Sequence, residues 1–324
     1  MSVGLGGTTT AKAPWFRRNQ RTIALRRNII YVAAVAICAS FAFMSPYFLT
    51  WENAEIVALQ VSSTAIVACG MTFVIIAGDI DLSVGSMYAL AGTLAAYLMQ
   101  LGWDWVPATG VALGAGALLG VTNGALSIYA GIPAFLVTLG TLGIARGIDL
   151  VLSGTRAIPI YDQTFPQVFA GDIFTIPRPI LWAAITVIAS GMVLGRSIFG
   201  RHVYAVGGNR EVSRLAGIRV GRVRLVNFVL CALLATFAGL IVAGRINAGQ
   251  PTIGQNFELD VITAVILGGT DLFGGRGKIV GTLVGALIIT VIGNGLILLG
   301  AEANVQTIVK GVVLILTVLL RMKT

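Results

Sequence analysis

Ten long apolar segments follow one another along this chain, and they limit the folds that it can adopt. With loose ends, they cover residues 29–49, 54–77, 82–101, 106–128, 133–152, 180–197, 224–246, 258–270, 278–299 and 303–320. A helix needs about 20 apolar residues to cross a bilayer, so 258–270 predicts either a half-helix or a span extended by its neighbours. Only 11% of the 324 residues are charged, whereas soluble domains carry about a quarter. The sequence therefore predicts an all-α polytopic membrane protein with about ten transmembrane helices.

Basic residues are concentrated in four of the segments outside the helices. The N-terminal stretch, 196–224, 271–278 and 321–324 together hold 17 of the 22 lysines and arginines. Cytoplasmic segments of membrane proteins carry an excess of these residues, and an inside N-terminus places all four in the cytoplasm. We therefore predict that both termini are cytoplasmic, that residues 1–28 form a basic cytoplasmic tail and that 29–324 form one transmembrane domain. The polar stretch 153–179, which contains prolines and no helical period, is predicted to be an external loop.

The loop 196–224 is the most basic segment between two helices, with seven arginines and a single acid, Glu211. Residues 209–217 within it carry a short helix signal. Asn209 is a favourable N-cap, Glu211 suits the positive end of the helix dipole, and Gly217 can end the helix in the left-handed conformation.

This short helix has one small apolar face. Val212, Leu215 and Ala216 fall at positions i, i+3 and i+4, which lie on one side of a helix. A helix of about two turns is too short to be stable alone. It is therefore either a solvated linker or a helix that fits into a partner, and its charge and capping alone favour the linker.

Glycine is frequent and is often repeated at a spacing of four residues. The two clearest sets are Gly116, Gly120 and Gly124 in one helix and Gly277, Gly281 and Gly285 in another. This spacing keeps the glycines on one face, where helix backbones can approach closely. The pattern favours tight helix packing within one subunit, and a contact between two copies is the alternative.

Two polar turns, 78–86 and 268–277, interrupt apolar sequence. Both contain Asp-Leu followed by two other residues and then glycine, and Gly-Thr-Leu follows each turn at 92–94 and 281–283. The matches indicate a weak internal repeat, which is common in transporters. The predicted helix order places both turns on the same side of the membrane.

Polar side chains within or beside the apolar segments are candidates for a gate or pathway, because ionisable groups at bilayer depth are costly and usually functional. The candidates are Asp79, Asp81, Ser83, Asn123, Asp271 and Asn294. The alternative is that the aspartates lie in wetted turns or cap helices, and the sequence does not decide between the two.

The chain lacks the common catalytic motifs. A nucleotide-binding loop requires G-x-x-x-x-G-K-[ST], and at the nearest approach, Gly277-Lys278, Leu272 and Ile279 replace the first glycine and the hydroxyl residue. The only histidine, His202, lies among arginines, and the three cysteines lie in apolar runs without metal-ligand spacing. We therefore expect no enzyme activity, no catalytic or metal-binding residue and no cofactor bound by this chain. The net charge of +9 fits cytoplasmic loops and does not require a nucleic acid partner.

Several stretches match a known family. They are Gly78-Asp-Ile-Asp-Leu-Ser-Val-Gly85, Ile132-Pro-Ala-Phe-Leu-Val-Thr-Leu-Gly140 with Arg146-Gly147, Gly207-Gly-Asn-Arg-Glu-Val-Ser-Arg-Leu-Ala-Gly-Ile218, Gln250-Pro-Thr252, Glu258-Leu-Asp260 and Gly268-Gly-Thr-Asp-Leu-Phe-Gly-Gly-Arg-Gly277. Through these stretches, which run from about residue 55 to 320, the chain resembles the membrane permease of bacterial ATP-binding-cassette (ABC) importers for monosaccharides, the ribose-type group.

The resemblance implies a multi-pass permease of the bacterial inner membrane that pairs with a second permease copy. It would bind ATPase subunits on the cytoplasmic side and receive sugar from a periplasmic binding protein, with ATP and Mg²⁺ bound by the ATPase. Helix 209–217 would then be the coupling helix that docks in a cleft of the ATPase. Val212, Leu215 and Ala216 would seat this helix, Arg210, Glu211 and Arg214 would set its polar register, and Asn209 and Gly217 would cap it.

The chain departs from the family pattern at Asp79, where a second glycine is usual, at Ala134, where a second proline is usual, and at Asp271, where serine is frequent. Asp79 matters most, because a carboxylate beside Asp81 either needs water nearby or changes the gate. If the chain is an ABC permease, Asp79→Gly is expected to retain uptake. The rival interpretation is a secondary transporter driven by protons or ions through Asp79, Asp81, Glu258 or Asp260.

Overall fold

The computed structural model describes residues 31–322, and this part of the chain is mostly α-helical. Its helices are α1 (Tyr31–Met44), α2 (Trp51–Ile76), α3 (Val84–Gln100), α4 (Trp105–Tyr129), α5 (Ala134–Ser153), α6 (Thr164–Ala170), α7 (Arg178–Arg196), α8 (Ile198–Gly208), α9 (Arg210–Leu215), α10 (Val220–Ile246), α11 (Phe257–Leu267), α12 (Ile279–Leu298) and α13 (Ala303–Met322). The strands are β1 (Ile158–Pro159), β2 (Asp172–Ile173), β3 (Ile176–Pro177) and β4 (Ala248–Gly249). The predicted tail 1–28, the first two residues of the first predicted span and residues 323–324 lie outside the described residues.

Each of the ten predicted apolar segments contains a helix. Six of these helices, α2, α4, α5, α7, α10 and α12, are long and apolar enough to cross a bilayer. Helix α11 has 11 residues and is about 17 Å long at 1.5 Å per residue, so it is the half-helix that the sequence allowed. The polytopic helical class is therefore confirmed, whereas the count of ten spans and the cytoplasmic termini stay predictions.

Helices α2 and α10 form the centre of the bundle. Every residue of α2 from Ser62 to Ile76 is buried, and α10 packs along α2, α3 and α4. A helix that is apolar on all sides is stable only when other helices or lipid surround it. Helices α4, α5 and α7 instead have few buried residues, and they expose apolar side chains such as those of Leu118, Ile144 and Ile188. Lipid or another subunit would cover these outer faces.

The glycine pattern marks helix contacts within this chain, as predicted. Gly116, Gly120 and Gly124 face α10, and Gly281 and Gly285 face α11. A Cβ atom added at Gly120 would lie 2.7 Å from the Cα atom of Val229, which is closer than real Cβ atoms approach. These glycines therefore bring helix backbones into direct contact.

We expect Gly120→Ala to destabilise the permease, because the new methyl group must push α4 away from α10. The cost of such overpacking is about 1–3 kcal/mol. Gly110 lies on the same helix, has no atom within 4 Å of an added Cβ, and so provides the matched control. Gly110→Ala should leave stability unchanged or raise it by up to about 1 kcal/mol through helix propensity. Thermal unfolding in detergent measures both variants, and equal melting temperatures would contradict this packing.

The segment 153–179 has more structure than the sequence predicted. It contains α6, whose first turn donates the N–H groups of Thr164 and Phe165 to the Asp162 carboxylate at 2.7 and 2.6 Å. Strand β1 pairs antiparallel with β4, so this segment joins the connection between α10 and α11. The sequence shows no helical period here because an Asp cap and tertiary packing stabilise a helix too short to show one, and the external location of the segment stays a prediction.

Candidate coupling and gate site

Helix α9 begins and ends as its sequence predicts. The Asn209 side chain accepts the N–H of Val212 at 3.0 Å, which satisfies one of the free donors in the first turn. After the helix, Gly217 has a φ of +82°, and the N–H of Ile218 donates to the carbonyl of Ser213 at 3.0 Å. This left-handed residue closes the helix at six residues, about 9 Å at 1.5 Å per residue.

The apolar side of α9 points away from the chain. Val212 is 59% exposed and Leu215 is 78% exposed, and Ala216 is also exposed. Glu211 and Arg214 form an exposed ion pair of 2.7 Å on the same helix. Because nothing in the described chain covers these side chains, α9 presents an apolar surface with a charged rim.

Asp79 joins α9 to the bundle through two arginines. Its carboxylate accepts from Arg210 at 3.0 Å and from Arg224, at the start of α10, at 2.7 and 2.9 Å. Arg224 also donates to the Ser127 hydroxyl of α4 at 2.9 Å. The Asp79 and Arg224 side chains are only 5% and 11% exposed, so this two-point contact is nearly buried. Asp79 therefore connects α9, α10 and α4.

Arg210 also binds the end of α2. Its guanidinium donates to the carbonyl groups of Ala77 and Gly78 at 3.2 and 2.8 Å. The last carbonyls of a helix lack partners within the helix and carry the negative end of its dipole, so a cation is favourable there. Through this residue, the first turn of α9 is attached to the turn that follows α2.

The two polar turns, 78–86 and 268–277, meet at the same end of the bundle, as predicted. The N–H of Gly275 donates to the carbonyl of Ile76 at 2.8 Å. The Tyr204 hydroxyl of α8 donates to the carbonyl of Gly277 at 2.8 Å. At Gly207 a Cβ atom would collide with the carbonyl of Ile76, so only glycine allows α8 to approach this closely. The segments predicted to be cytoplasmic thus contact one another.

Asp81, Ser83 and Asn123 form a separate buried network. One carboxylate oxygen of Asp81 accepts from the N–H and hydroxyl of Ser83 at 2.9 and 2.6 Å. Asn123 donates to the Ser83 hydroxyl at 2.9 Å and accepts from Thr141 at 2.7 Å. Burial raises the pKa of Asp81, while the hydrogen bonds from Ser83 and Asn123 oppose the rise. The network connects the turn before α3 to α4 and α5.

Asp271 and Asn294 do not join this network. Asp271 accepts the N–H of Phe273 at 3.0 Å, so its carboxylate stabilises its own turn. Asn294 donates to the side-chain oxygen of Asn53 at 2.8 Å, and Asn53 lies in the first turn of α2, at the opposite end of that helix from Asp79. Of the six gate candidates, four therefore lie in or beside the turn after α2, Asp271 lies in the second polar turn that meets the end of α2, and Asn294 lies at the other end of α2.

Charged residues outside the six gate candidates complete the polar interior. Arg224 is one of the seven arginines of the loop 196–224, and in the structure it is the closest partner of Asp79. Asp149 of α5 is fully buried, with Arg146 at 3.9 Å. Asp260 of α11 and Lys310 of α13 form an ion pair of 2.6 Å. The available signal was a charge inside an apolar segment, which applies to Asp149, Asp260 and Lys310.

A polytopic helical bundle with several buried polar networks and a short exposed helix at one end is typical of membrane transport permeases. Comparison of the sequence with known proteins makes this class more specific. Residues 53–318 match the family model described as "Branched-chain amino acid transport system / permease component". The chain belongs to this permease family, and it is a multi-pass protein of the bacterial inner membrane.

Curated relatives align over nearly the whole chain. The ribose import permease of Escherichia coli K12 is 39% identical over 292 residues, which are 89% of this chain and 91% of that protein. The ribose import permease of Bacillus subtilis is 40% identical over 284 residues, or 87% and 88%. The L-arabinose transport system permease of Escherichia coli K12 is 37% identical over 294 residues, or 90% and 88%. No solved structure matches the chain significantly.

Proposed function

We propose that this chain is the transmembrane permease subunit of an ATP-driven importer that translocates a monosaccharide delivered by a periplasmic binding protein. The observation that carries the proposal is the 37–40% identity, over about nine tenths of the chain, to permeases that import ribose and arabinose. The family description names branched-chain amino acids instead. We give the relatives more weight for the substrate, because a broad family model groups permeases of different solutes.

In the proposed mechanism, α9 is the coupling helix, and it docks on an ABC ATPase subunit that binds ATP and Mg²⁺. Val212 and Leu215 enter an apolar cleft of the ATPase, where the burial of apolar side chains provides affinity. Arg210 belongs to the same rigid turn, so a displacement of α9 moves Asp79 and Arg224 with it. Packed interfaces switch between discrete arrangements, which lets a short helix transmit such a movement.

The Asp81 network is then the element that responds to this movement. Asp79 and Asp81 are two residues apart in the turn between α2 and α3, so a shift at Asp79 displaces the hydrogen bonds of Asp81 with Ser83 and Asn123. In the full importer, a second permease copy would complete the translocation path. The exposed apolar faces of α4, α5 and α7 leave room for such a subunit contact.

A proton-coupled secondary transporter is not favoured. Such a transporter needs a carboxylate that is free to exchange protons with the substrate path. Asp79 is held by two arginines, and Asp260 is held by Lys310, so both carboxylates have structural partners. These ion pairs therefore favour an ATP-driven permease over a proton pathway through Asp79 or Asp260.

The proposal predicts that uptake depends on ATP and not on a proton gradient. The permease, its ATPase and its binding protein are reconstituted in proteoliposomes, and the initial rate of labelled ribose uptake is measured with enclosed ATP. We expect transport only with ATP and Mg²⁺, and no change when a protonophore is added. Uptake that continues without the ATPase and collapses with the protonophore would assign the chain to the secondary transporters.

A further inference from the structure

A polar cavity lies in the half of the bundle that is away from α9. Its volume is about 210 Å³, and it opens between α2, α3, α10, α11, α12 and α13. The walls include Gln60, Tyr88, Arg245, Phe257, Asp260 and Lys310. In the predicted topology these parts of the helices face the outside. An engineered cavity of about 150 Å³ holds benzene, so this cavity has room for a six-membered sugar ring.

The polar groups of the cavity are placed on different helices and face one space. Asp260 and Lys310 form their 2.6 Å ion pair with 17% and 29% of their side chains exposed, so both retain accessible surface. A carboxylate offers several acceptor sites and an ammonium group offers three donors, more than one ion pair uses. The pair therefore keeps free donors and acceptors beside the cavity.

The remaining wall combines aromatic rings with hydroxyl groups. The rings of Tyr88 and Phe257 lie 4.5 Å apart between centroids, and Ser63, Thr64 and Thr290 supply buried hydroxyls. A sugar ring presents hydroxyl groups at its rim and C–H groups on its faces. It therefore needs polar partners and an apolar aromatic surface at the same place, and this cavity supplies both.

We infer that this cavity is a monosaccharide-binding site on the import route, entered from the outer side of the membrane. The inference rests on the proposed sugar importer and adds the residues that receive the sugar. The competing occupant is the phosphate of a lipid headgroup, because Arg245 and Lys310 are cationic. The Asp260 carboxylate beside Lys310 disfavours a phosphate and favours a neutral polyol.

The first test measures binding without ATP or any partner. The permease is placed in nanodiscs, and saturation-transfer NMR is recorded with D-ribose and, separately, with glycerol 3-phosphate. We expect a ribose signal with the natural permease, and a loss of most of it in Asp260→Asn and in Phe257→Ala. Asp172→Asn is the matched control, since this acid is exposed on the same predicted face and lies outside the cavity. Its signal should equal that of the natural protein.

The second test measures transport in the reconstituted importer. Asp260→Asn is expected to lower ribose uptake about tenfold, the effect of losing roughly 1.4 kcal/mol of charge-assisted hydrogen bonding. Stimulation of the ATPase by the loaded binding protein should persist, because the cavity is distant from α9. If Asp260→Asn fails to insert, Thr290→Val removes one lining hydroxyl with little change of shape and should also lower uptake selectively.

The outcomes separate this site from the proposed function. ATP-driven uptake that Asp260→Asn and Thr290→Val leave at the natural rate would overturn the site and leave the importer standing. Uptake independent of ATP would overturn the importer, while a ribose signal that needs Asp260 would still support the site. A signal with glycerol 3-phosphate but none with ribose would make the cavity a lipid-headgroup site. Full uptake in the swapped variant Asp260→Lys/Lys310→Asp would show that the ion pair is only structural, and it would overturn the role of Asp260 in binding sugar.

Discussion

Asp79→Ala is expected to destabilise the permease strongly and to abolish uptake. The substitution leaves Arg224, which is 11% exposed, without a counter-charge in a nearly buried position. Removing one partner of a buried ion pair costs about 3–5 kcal/mol, most of it from the charge left behind. Arg210 is 43% exposed, so solvent screens its ion pair with Asp79. Loss of that pair therefore lowers the free energy of unfolding only a little. Its effect is on position, because the first turn of α9 keeps its bonds to the carbonyls of Ala77 and Gly78 but loses its ion pair with Asp79.

Thermal unfolding in detergent and reconstituted uptake measure the two effects. Glu302→Ala is the control, since this exposed acid makes no side-chain hydrogen bond in the described chain. Asp79→Ala/Arg224→Met should recover part of the melting temperature, because no buried charge remains unpaired. It should not recover uptake, since Arg210 still lacks its ion-pair partner Asp79. An unchanged melting temperature in Asp79→Ala alone would mean that the ion pairs of Asp79 contribute nothing to the stability of the fold.

The structure changes what is expected of Asp79→Gly. The resemblance to the family predicts that glycine, the usual residue there, retains uptake. In this chain, however, Asp79 lies between Arg210 and Arg224, and glycine would leave both arginines without the carboxylate that pairs with them. We therefore expect Asp79→Gly to behave like Asp79→Ala unless Arg224 is replaced as well.

Local features of this protein were predictable from the sequence because they depend on neighbouring residues. Asn209 caps α9 through a donor three residues away, and Gly217 ends it in a left-handed turn. The apolar segments locate the helices, and the spacing of Gly116, Gly120 and Gly124 locates one helix contact. Each of these signals is contained in a stretch shorter than one helix.

The candidate site was only partly predictable, because its contacts join distant parts of the chain. Asp79 and Arg224 are 145 residues apart, and no local pattern relates them. The same limit applies to Asn294, which pairs with Asn53 across 241 residues. Asp271 was selected by its place in a polar turn, yet its carboxylate accepts a hydrogen bond from a residue two positions away. Burial and partners come from packing, which a single sequence does not specify.

Leu215→Asp is expected to abolish uptake while the permease inserts and unfolds at its usual temperature. Leu215 is 78% exposed and makes no packing contact that the substitution would break within the described chain. In the docked helix, the aspartate would lie unpaired in an apolar cleft. An unsatisfied buried group costs about 1–3 kcal/mol, and a charged one costs more. The ATPase should therefore no longer co-purify with the permease.

The control for this prediction is Tyr161→Asp, which places the same charge at an 81% exposed apolar residue in the segment predicted to lie outside. Tyr161→Asp should keep the ATPase bound, whatever its effect on the binding protein. Leu215→Ala keeps an apolar surface and should weaken co-purification less than Leu215→Asp. A Leu215→Asp permease that retains both the ATPase and uptake would make α9 a solvated linker. In that case the Asp79 ion pairs would serve only to hold this linker against the bundle.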